Sequence, residues 1–306
     1  VTLEVDYGQQ PREFAEAVRT LCRRHEEGWR HLPGDGFPER TWQDLADIGF
    51  LGLAAEGTEA AGEIAAVMEE LGGLGCPGPL WETVLATRAA AEPPPDGIAT
   101  VGTGGPLPWG HRATVFFALT DDGLWECAPA GEAVPAPMLT GELWAEVPLT
   151  PRRRVPDECG ALALGDLALA AQLVGAGARL VRDAAEYVAS RHQFRRPLGD
   201  FQGVAFPLAE ADIELAAARA LTSRAASRLA EGGADAARAA RAAVLSAARA
   251  ARTATYHTFQ AYGAMAFTEE GGVAWYGRRV ALLRTQALAP YRRAAWTADV
   301  FERKFP

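Results

Sequence analysis

The chain has 306 residues, 49% of them hydrophobic and 23% charged, with a formal net charge of −9. That supplies enough apolar material for a sizeable core in two or three packed units. The acidic balance excludes a non-specific nucleic-acid binder, which needs a basic face to displace counterions.

No run approaches the roughly 18 uninterrupted apolar residues of a membrane span, and no basic-then-apolar leader opens the sequence. A cytoplasmic protein with no membrane partner is the expectation. Cys22, Cys76, Cys127 and Cys159 stand far apart without a C-x-x-C pair, which reads as ordinary reduced thiols. His25, His31, His111, His192 and His257 form no H-E-x-x-H or i,i+4 pair, so no metal site is expected. A G-x-S-x-G elbow and a P-loop are both absent.

Phe14, Val18, Leu21, His25 and Trp29 recur at three- and four-residue steps and predict a first helix. Trp42, Leu45, Ile48 and Leu51 predict a second, with Pro38 in its first turn. Ile64, Val67, Met68 and Leu71 predict a third, stopped by Gly72-Gly73 and the Cys76-Pro-Gly-Pro79 run. A fourth spans Trp81 to Ala91.

The Glu92-Pro-Pro-Pro-Asp-Gly97 run marks a boundary, after which the texture is that of strands. Thr114–Leu119 and Leu124–Cys127 around Asp121-Asp122-Gly123 read as a hairpin, with another strand near Leu143 to Leu149. From about Ala161 helices return. Leu208, Leu215, Thr222 and Leu229 lie seven apart with Ala211, Ala218 and Ala225 between them, a narrow face that lets helices pack closely. Gly232-Gly233 separates that helix from another Ala-rich one reaching about Phe259. The expected units are residues 1–92, helical; 93–158, a small β domain; and 159–306, a helical bundle.

Two stretches carry chemistry. Arg191-His-Gln-Phe-Arg-Arg-Pro-Leu-Gly-Asp-Phe-Gln202 joins two long helices, and Gln260-Ala-Tyr-Gly263 follows later. Arg191 and Gln193 at a helix end offer donors suited to a pyrophosphate. The cations Arg191, Arg195 and Arg196 also suit a solvated helix C-terminus, and Phe194 and Phe201 suit a core as readily as a nucleotide pocket.

With these residues the sequence resembles the acyl-CoA dehydrogenase family, whose C-terminal domain carries Arg-x-x-Phe-Gly-x-x-Ile-x-x-Phe-Gln and later Gln-x-x-Gly-Gly-x-Gly-Phe. Trp42–Leu53 and Val67–Gly72 are similar to the family's N-terminal helices. The resemblance implies a mainly α protein with an N-terminal helical domain, a shortened middle β domain and a C-terminal four-helix bundle. It implies that Arg191, Gln193, Phe194, Gln202, Gln260, Gly263 and Ala264 hold the ADP half of an FAD belonging to the neighbouring subunit. Ala264 and Ala266 stand where the family has glycines.

The departures concern the reaction itself. The β unit matches only the later half of the family's middle domain. It lacks the Thr-Glu-Pro and Gly-Ser-Asp loop that touches flavin and thioester; Gly102-Thr-Gly-Gly105 stands near that position. The reaction needs a carboxylate to take the α-proton. Counting from Arg278-Arg279 to the family's base lands on Ala287 or Leu288, and counting back from Arg191 to its alternative lands on Gly165, beside Asp166.

No catalytic residue is therefore assigned. The resemblance implies a base-less subunit that completes the FAD site of a full-length acyl-CoA dehydrogenase partner, in an α2β2 heterotetramer. The thioester would lie mainly on the partner, and its bulky acyl group would be of the steroid side-chain type. A homodimeric enzyme using Asp166 or Glu270 as base, and a flavin-free scaffold, stay open as alternatives.

Overall fold

The computed structural model describes residues 7–32, 36–94, 97–138, 140–156 and 160–289. Pro95 and Asp96 of the proline run, and Cys159, lie outside the described residues.

Among the described residues five helices come first: α1 (Gln9–Arg23), α2 (Glu26–Trp29), α3 (Glu39–Asp47), α4 (Ala61–Leu74) and α5 (Leu80–Ala90). The single first helix expected over Phe14 to Trp29 is two, because the chain turns at Arg24 and His25 before α2. That turn lets His25 Nε2 meet Asp44 Oδ2 of α3 at 2.8 Å while Trp29 Nε1 donates to Thr41 Oγ1 at 2.9 Å. The second apolar stripe is also divided. α3 ends before Gly49, which is left-handed at φ 84°, and Phe50–Gly52 form a separate 3-10 turn.

The expected stop at Gly72-Gly73 is corrected. Both glycines lie inside α4, which ends at Gly75 in the left-handed conformation, φ 70°. Cys76 N–H donates to Leu71 C=O at 2.9 Å, closing a Schellman-type cap. Gly72 instead permits a close helix crossing: a Cβ there would stand 2.1 Å from the carbonyl oxygen of Gln172, and one on Gly175 would stand 1.9 Å from that of Glu69.

The middle unit holds β1 (Ala99–Gly102), β2 (Val115–Thr120), β3 (Gly123–Pro129), β4 (Val134–Pro137), β5 (Leu143–Glu146) and β6 (Leu149–Arg154). One sheet has the order β1-β2-β3-β6, with β1 parallel to β2 and the remaining pairs antiparallel. The β2–β3 hairpin turns at Asp121-Asp122, with Thr120 opposite Gly123. β4 and β5 make a separate antiparallel pair. β6 is an outer strand of its sheet, and its Pro151 and three exposed arginines discourage pairing with another chain.

α6 (Ala161–Ser190) then runs through the middle of the molecule, touching α4, α5, α7 (Gln202–Ala230), α8 (Ala236–Tyr262) and α9 (Val273–Ala287). By length and mean hydropathy it could cross a membrane, although Asp166, Gln172 and Arg179 interrupt its apolar run, and 89% of its most apolar window is buried inside the protein. It is the core helix of the bundle. Gly177 lets its neighbours close in, since a Cβ there would meet Leu215 Cδ2 at 2.7 Å and Ala251 Cα at 3.3 Å. The heptad face of α7, Leu208 to Leu229, is buried throughout.

One large apolar cluster joins the N-terminal helices, the inner sheet residues Val101, Phe117 and Leu124, and the bundle. A smaller one, around Leu107, Phe116 and Cys127, belongs to the β unit alone.

Candidate cofactor face and interdomain junction

α6 stops at Ser190 because Arg191 turns extended, at φ −81° and ψ 120°. The chain then folds back as a short hairpin of β7 (His192–Gln193) and β8 (Arg196–Pro197), and Leu198 N–H closes its base on Arg191 C=O at 2.8 Å. The two turn residues are Phe194 and Arg195, at φ 52° and 71°. Arg196 Cζ lies 3.8 Å from the centre of the Phe201 ring, and Phe194 meets that ring edge-on at 6.1 Å.

α8 reaches the same end of the bundle. Tyr262 stacks on Tyr187 of α6 with ring centres 4.1 Å apart, and its hydroxyl donates to Asp183 C=O at 3.2 Å. Burial, with Asp183 nearby, raises the Tyr262 pKa and keeps that donor protonated. Ala184, Val188 and Leu208 form a cluster covered by Leu198, Val204, Ala261 and Tyr262, so the segments Arg191–Gln202 and Gln260–Gly263 rest on one apolar platform.

Gly263 has φ 59° and ψ −134°, torsions that favour glycine, although a Cβ there would meet nothing within 4 Å. Its requirement is torsional rather than steric. Ala264 is exposed and Ala266 buried, and neither has positive φ, so the methyl groups fit the 3-10 turn Gly263–Phe267.

The side chains of Arg191, Gln193, Arg195, Gln202 and Gln260 are all exposed and make no hydrogen bond or ion pair among the described residues. This contrasts with the body of the protein. There Arg179 binds Glu26 and Asp183, Arg219 binds Glu69, and Arg279 binds Glu142. A face of uncommitted donors beside a glycine-only turn is chemically suited to a dinucleotide's phosphates and amide-bonding edges. Arg195 joins the residues expected on this face; in the motif it occupies the position after Phe194 that the pattern gives to glycine.

The positions considered for a base lie in the interior or on the surface. Ala287 is fully buried, and a Cβ on Gly165 would press on Leu85 at 3.0 Å. Asp166 is 4% exposed in the second turn of α6, whereas Glu269 and Glu270 are on the surface.

At Gln286 the junction of the three units is filled. Gln286 Nε2 donates to Glu82 Oε1 at 2.7 Å and Trp81 Nε1 donates to Gln286 Oε1 at 3.1 Å, all three residues buried. Arg279 pairs with Glu142 and donates to Cys76 C=O at 3.0 Å, tying α9 to the β unit and to the end of α4. The cavity left between Glu82, Trp109, Trp144, Arg279 and Gln286 has a volume of about 20 Å³. A second, beside Trp29, Trp109 and Trp275, has about 90 Å³. Neither approaches the roughly 300 Å³ at which small-molecule sites begin.

Two larger hollows lie on the bundle. One of about 420 Å³ between α1, α4, α6 and α7 is lined by arginines and carboxylates in equal number. One of about 650 Å³ between α6 and α7 is floored mainly by alanine, valine and Leu208.

Residues 159–287 match the family model for the acyl-CoA dehydrogenase C-terminal domain. The acyl-CoA dehydrogenase IpdE2 of Mycobacterium tuberculosis is 30% identical over 215 residues, which cover 62% of this chain and 66% of that protein, just short of two thirds of its length. A variant of the Tcur3481-Tcur3483 steroid ACAD has a similar fold, with a TM-score of 0.81 at 21% identity over 98% of this chain and 100% of that one. So does the ChsE4-ChsE5 complex from Mycobacterium tuberculosis, with a TM-score of 0.76 at 22% identity over 95% of this chain and 98% of that one.

Proposed function

Because the chain belongs to the acyl-CoA dehydrogenase family, we propose that it is the base-less subunit of a heteromeric, cytoplasmic acyl-CoA dehydrogenase, completing the FAD site of a full-length partner subunit. The observation that carries this reading is the filled junction. Ala287, where a counted base would stand, is fully buried in the apolar core, and its neighbour Gln286 is held by Trp81 and Glu82 at a cavity of only about 20 Å³.

The donor face fits FAD. Arg191, Gln193, Gln202 and Gln260 have unspent hydrogen-bonding capacity, Phe194 is 85% exposed, and Gly263 with Ala264 offers open backbone. In this role Arg191 neutralises pyrophosphate charge, the glutamines fix the orientation of the ADP half, and the Tyr187–Tyr262 stack holds the two segments in register. Bound at this face, FAD supplies the hydride acceptor for α,β-dehydrogenation of a thioester. The partner supplies the carboxylate and most thioester contacts, in an α2β2 assembly.

The heteromeric names of two structural neighbours, one of them a steroid ACAD, support both the partner and a bulky substrate of the steroid side-chain class. Purification of the chain alone, and again with a full-length dehydrogenase partner, tests the reading through visible flavin absorbance. Flavin is expected only in the joint preparation. A yellow lone chain with dehydrogenase turnover would favour the homodimeric enzyme instead.

A further inference from the structure

The tip of the β7–β8 hairpin is built against local preference. A two-residue hairpin turn with positive φ at both central positions is the I′ pattern, which favours Asn-Gly; here the residues are Phe194 and Arg195. Such torsions persist in bulky residues only where the surroundings over-determine them. The surroundings do: the base is closed by Leu198 and Arg191, the strands pair at His192–Pro197 and Gln193–Arg196, and Arg196 is fixed over Phe201.

The three arginines of this segment have different structural roles. Arg196 is spent on the Phe201 ring. Arg191 follows the last turn of α6, where a cation offsets the helix dipole. Arg195 has neither role and no hydrogen bond or ion pair among the described residues, and it occupies a backbone position that would relax if it were glycine. An exposed cation held in a disfavoured conformation, two residues from Gln193 and in a chain of net charge −9, has its use outside the chain.

We infer that Arg195 is a phosphate-contacting residue for the dinucleotide held by the partner subunit, with the hairpin tip projecting into that subunit's cofactor site. This rests on the reading that the donor face meets the partner's FAD. It adds a cation that the motif lacks.

The test compares wild type with Arg195→Gly, Arg195→Asn and Arg195→Lys, each purified jointly with the partner. Three quantities are read: the melting temperature of the isolated chain, the yield of assembled complex, and the dissociation constant for FAD in that complex. Glycine should raise the melting temperature by about 2 °C by relaxing the turn. It should also weaken FAD roughly tenfold or more, the scale of a lost charge-assisted hydrogen bond.

Asparagine, which tolerates the torsions but carries no charge, should weaken FAD similarly, and lysine should recover part of the affinity. Unchanged FAD affinity in the glycine and asparagine complexes would overturn the proposal. So would loss of assembly with normal FAD affinity in what assembles, which would make Arg195 a protein contact. A wild-type complex without flavin would overturn the underlying reading and this one with it, whereas flavin held equally by all four proteins would overturn only this one.

Discussion

The Arg279 guanidinium and the Glu142 carboxylate pair with each other at 6% and 7% side-chain exposure, joining α9 to the loop before β5. Such a pair gives little net stability over an apolar substitute, but breaking it leaves one buried charge unmatched. Arg279→Met or Glu142→Gln alone should therefore lower unfolding free energy by about 3–5 kcal/mol. The double replacement Arg279→Met with Glu142→Leu should lose much less. Chemical denaturation of the three variants checks this, and equal losses in all three would show that the contact matters through packing alone.

The α4–α6 crossing has no room for a methyl group. Gly175→Ala, with its Cβ set 1.9 Å from Glu69 C=O, should separate the helices and cost about 3 kcal/mol or more. Gly28→Ala meets nothing within 4 Å and has ordinary torsions, so it should be neutral or stabilising by about 0.5–1 kcal/mol. Thermal unfolding distinguishes the two, and similar melting points would show that the crossing is loose.

Alkaline pH should destabilise the fold. Burial, with a hydrogen bond to Glu26, pushes the Tyr276 phenol up to about 12 from an ordinary value of 10.0, and burial with Asp44 nearby pushes the Cys22 thiol up to about 12 from 9.0. Between the unfolded and folded values the native state keeps protons that the unfolded chain has lost, so stability is full below pH 9 and falls as pH rises towards 12. Urea midpoints across that range should decline, and less steeply in Tyr276→Phe. Because Cys22 and Cys76 are buried and stay protonated, a thiol reagent at neutral pH should label them only after unfolding.

A carboxylate restored by sequence position should do no chemistry. Ala287→Glu places the group in the buried apolar core, where an unpartnered polar group costs about 3 kcal/mol. Turnover per flavin in the joint preparation should stay at the wild-type level while the melting temperature drops. An increase in turnover would mean that this chain's junction opens to substrate.

Much of the architecture was legible because it is written in periodicity. The stripe Ile64 to Leu71 and the heptad Leu208 to Leu229 point inward as their spacing requires, and Asp121-Asp122-Gly123 turns the hairpin. Local signals failed where a distant neighbour decides. Gly72-Gly73 reads as a helix stop, but Gln172, a hundred residues on, makes glycine the residue that fits inside the helix. The missing base could be counted from the motif. The closed junction at the neighbouring Gln286 could not, because Trp81 and Gln286 are 205 residues apart and neither belongs to a motif. Arg195 was visible only as an arginine; its positive φ is a property of the hairpin.

The route of α6 means that the boundaries in the sequence are not boundaries in the energy. α4 and α5 lie against the same helix as α7, α8 and α9, and Ile64, Leu85, Leu173 and Val244 belong to one continuous core. Residues before the β unit and residues after it therefore unfold as a single cooperative body, since parting them strips apolar cover from α6. The outer layer around Leu107, Phe116 and Cys127 has a cluster of its own, as does the platform of Ala184, Val188 and Leu208, and these are portions that can open while the rest stays closed.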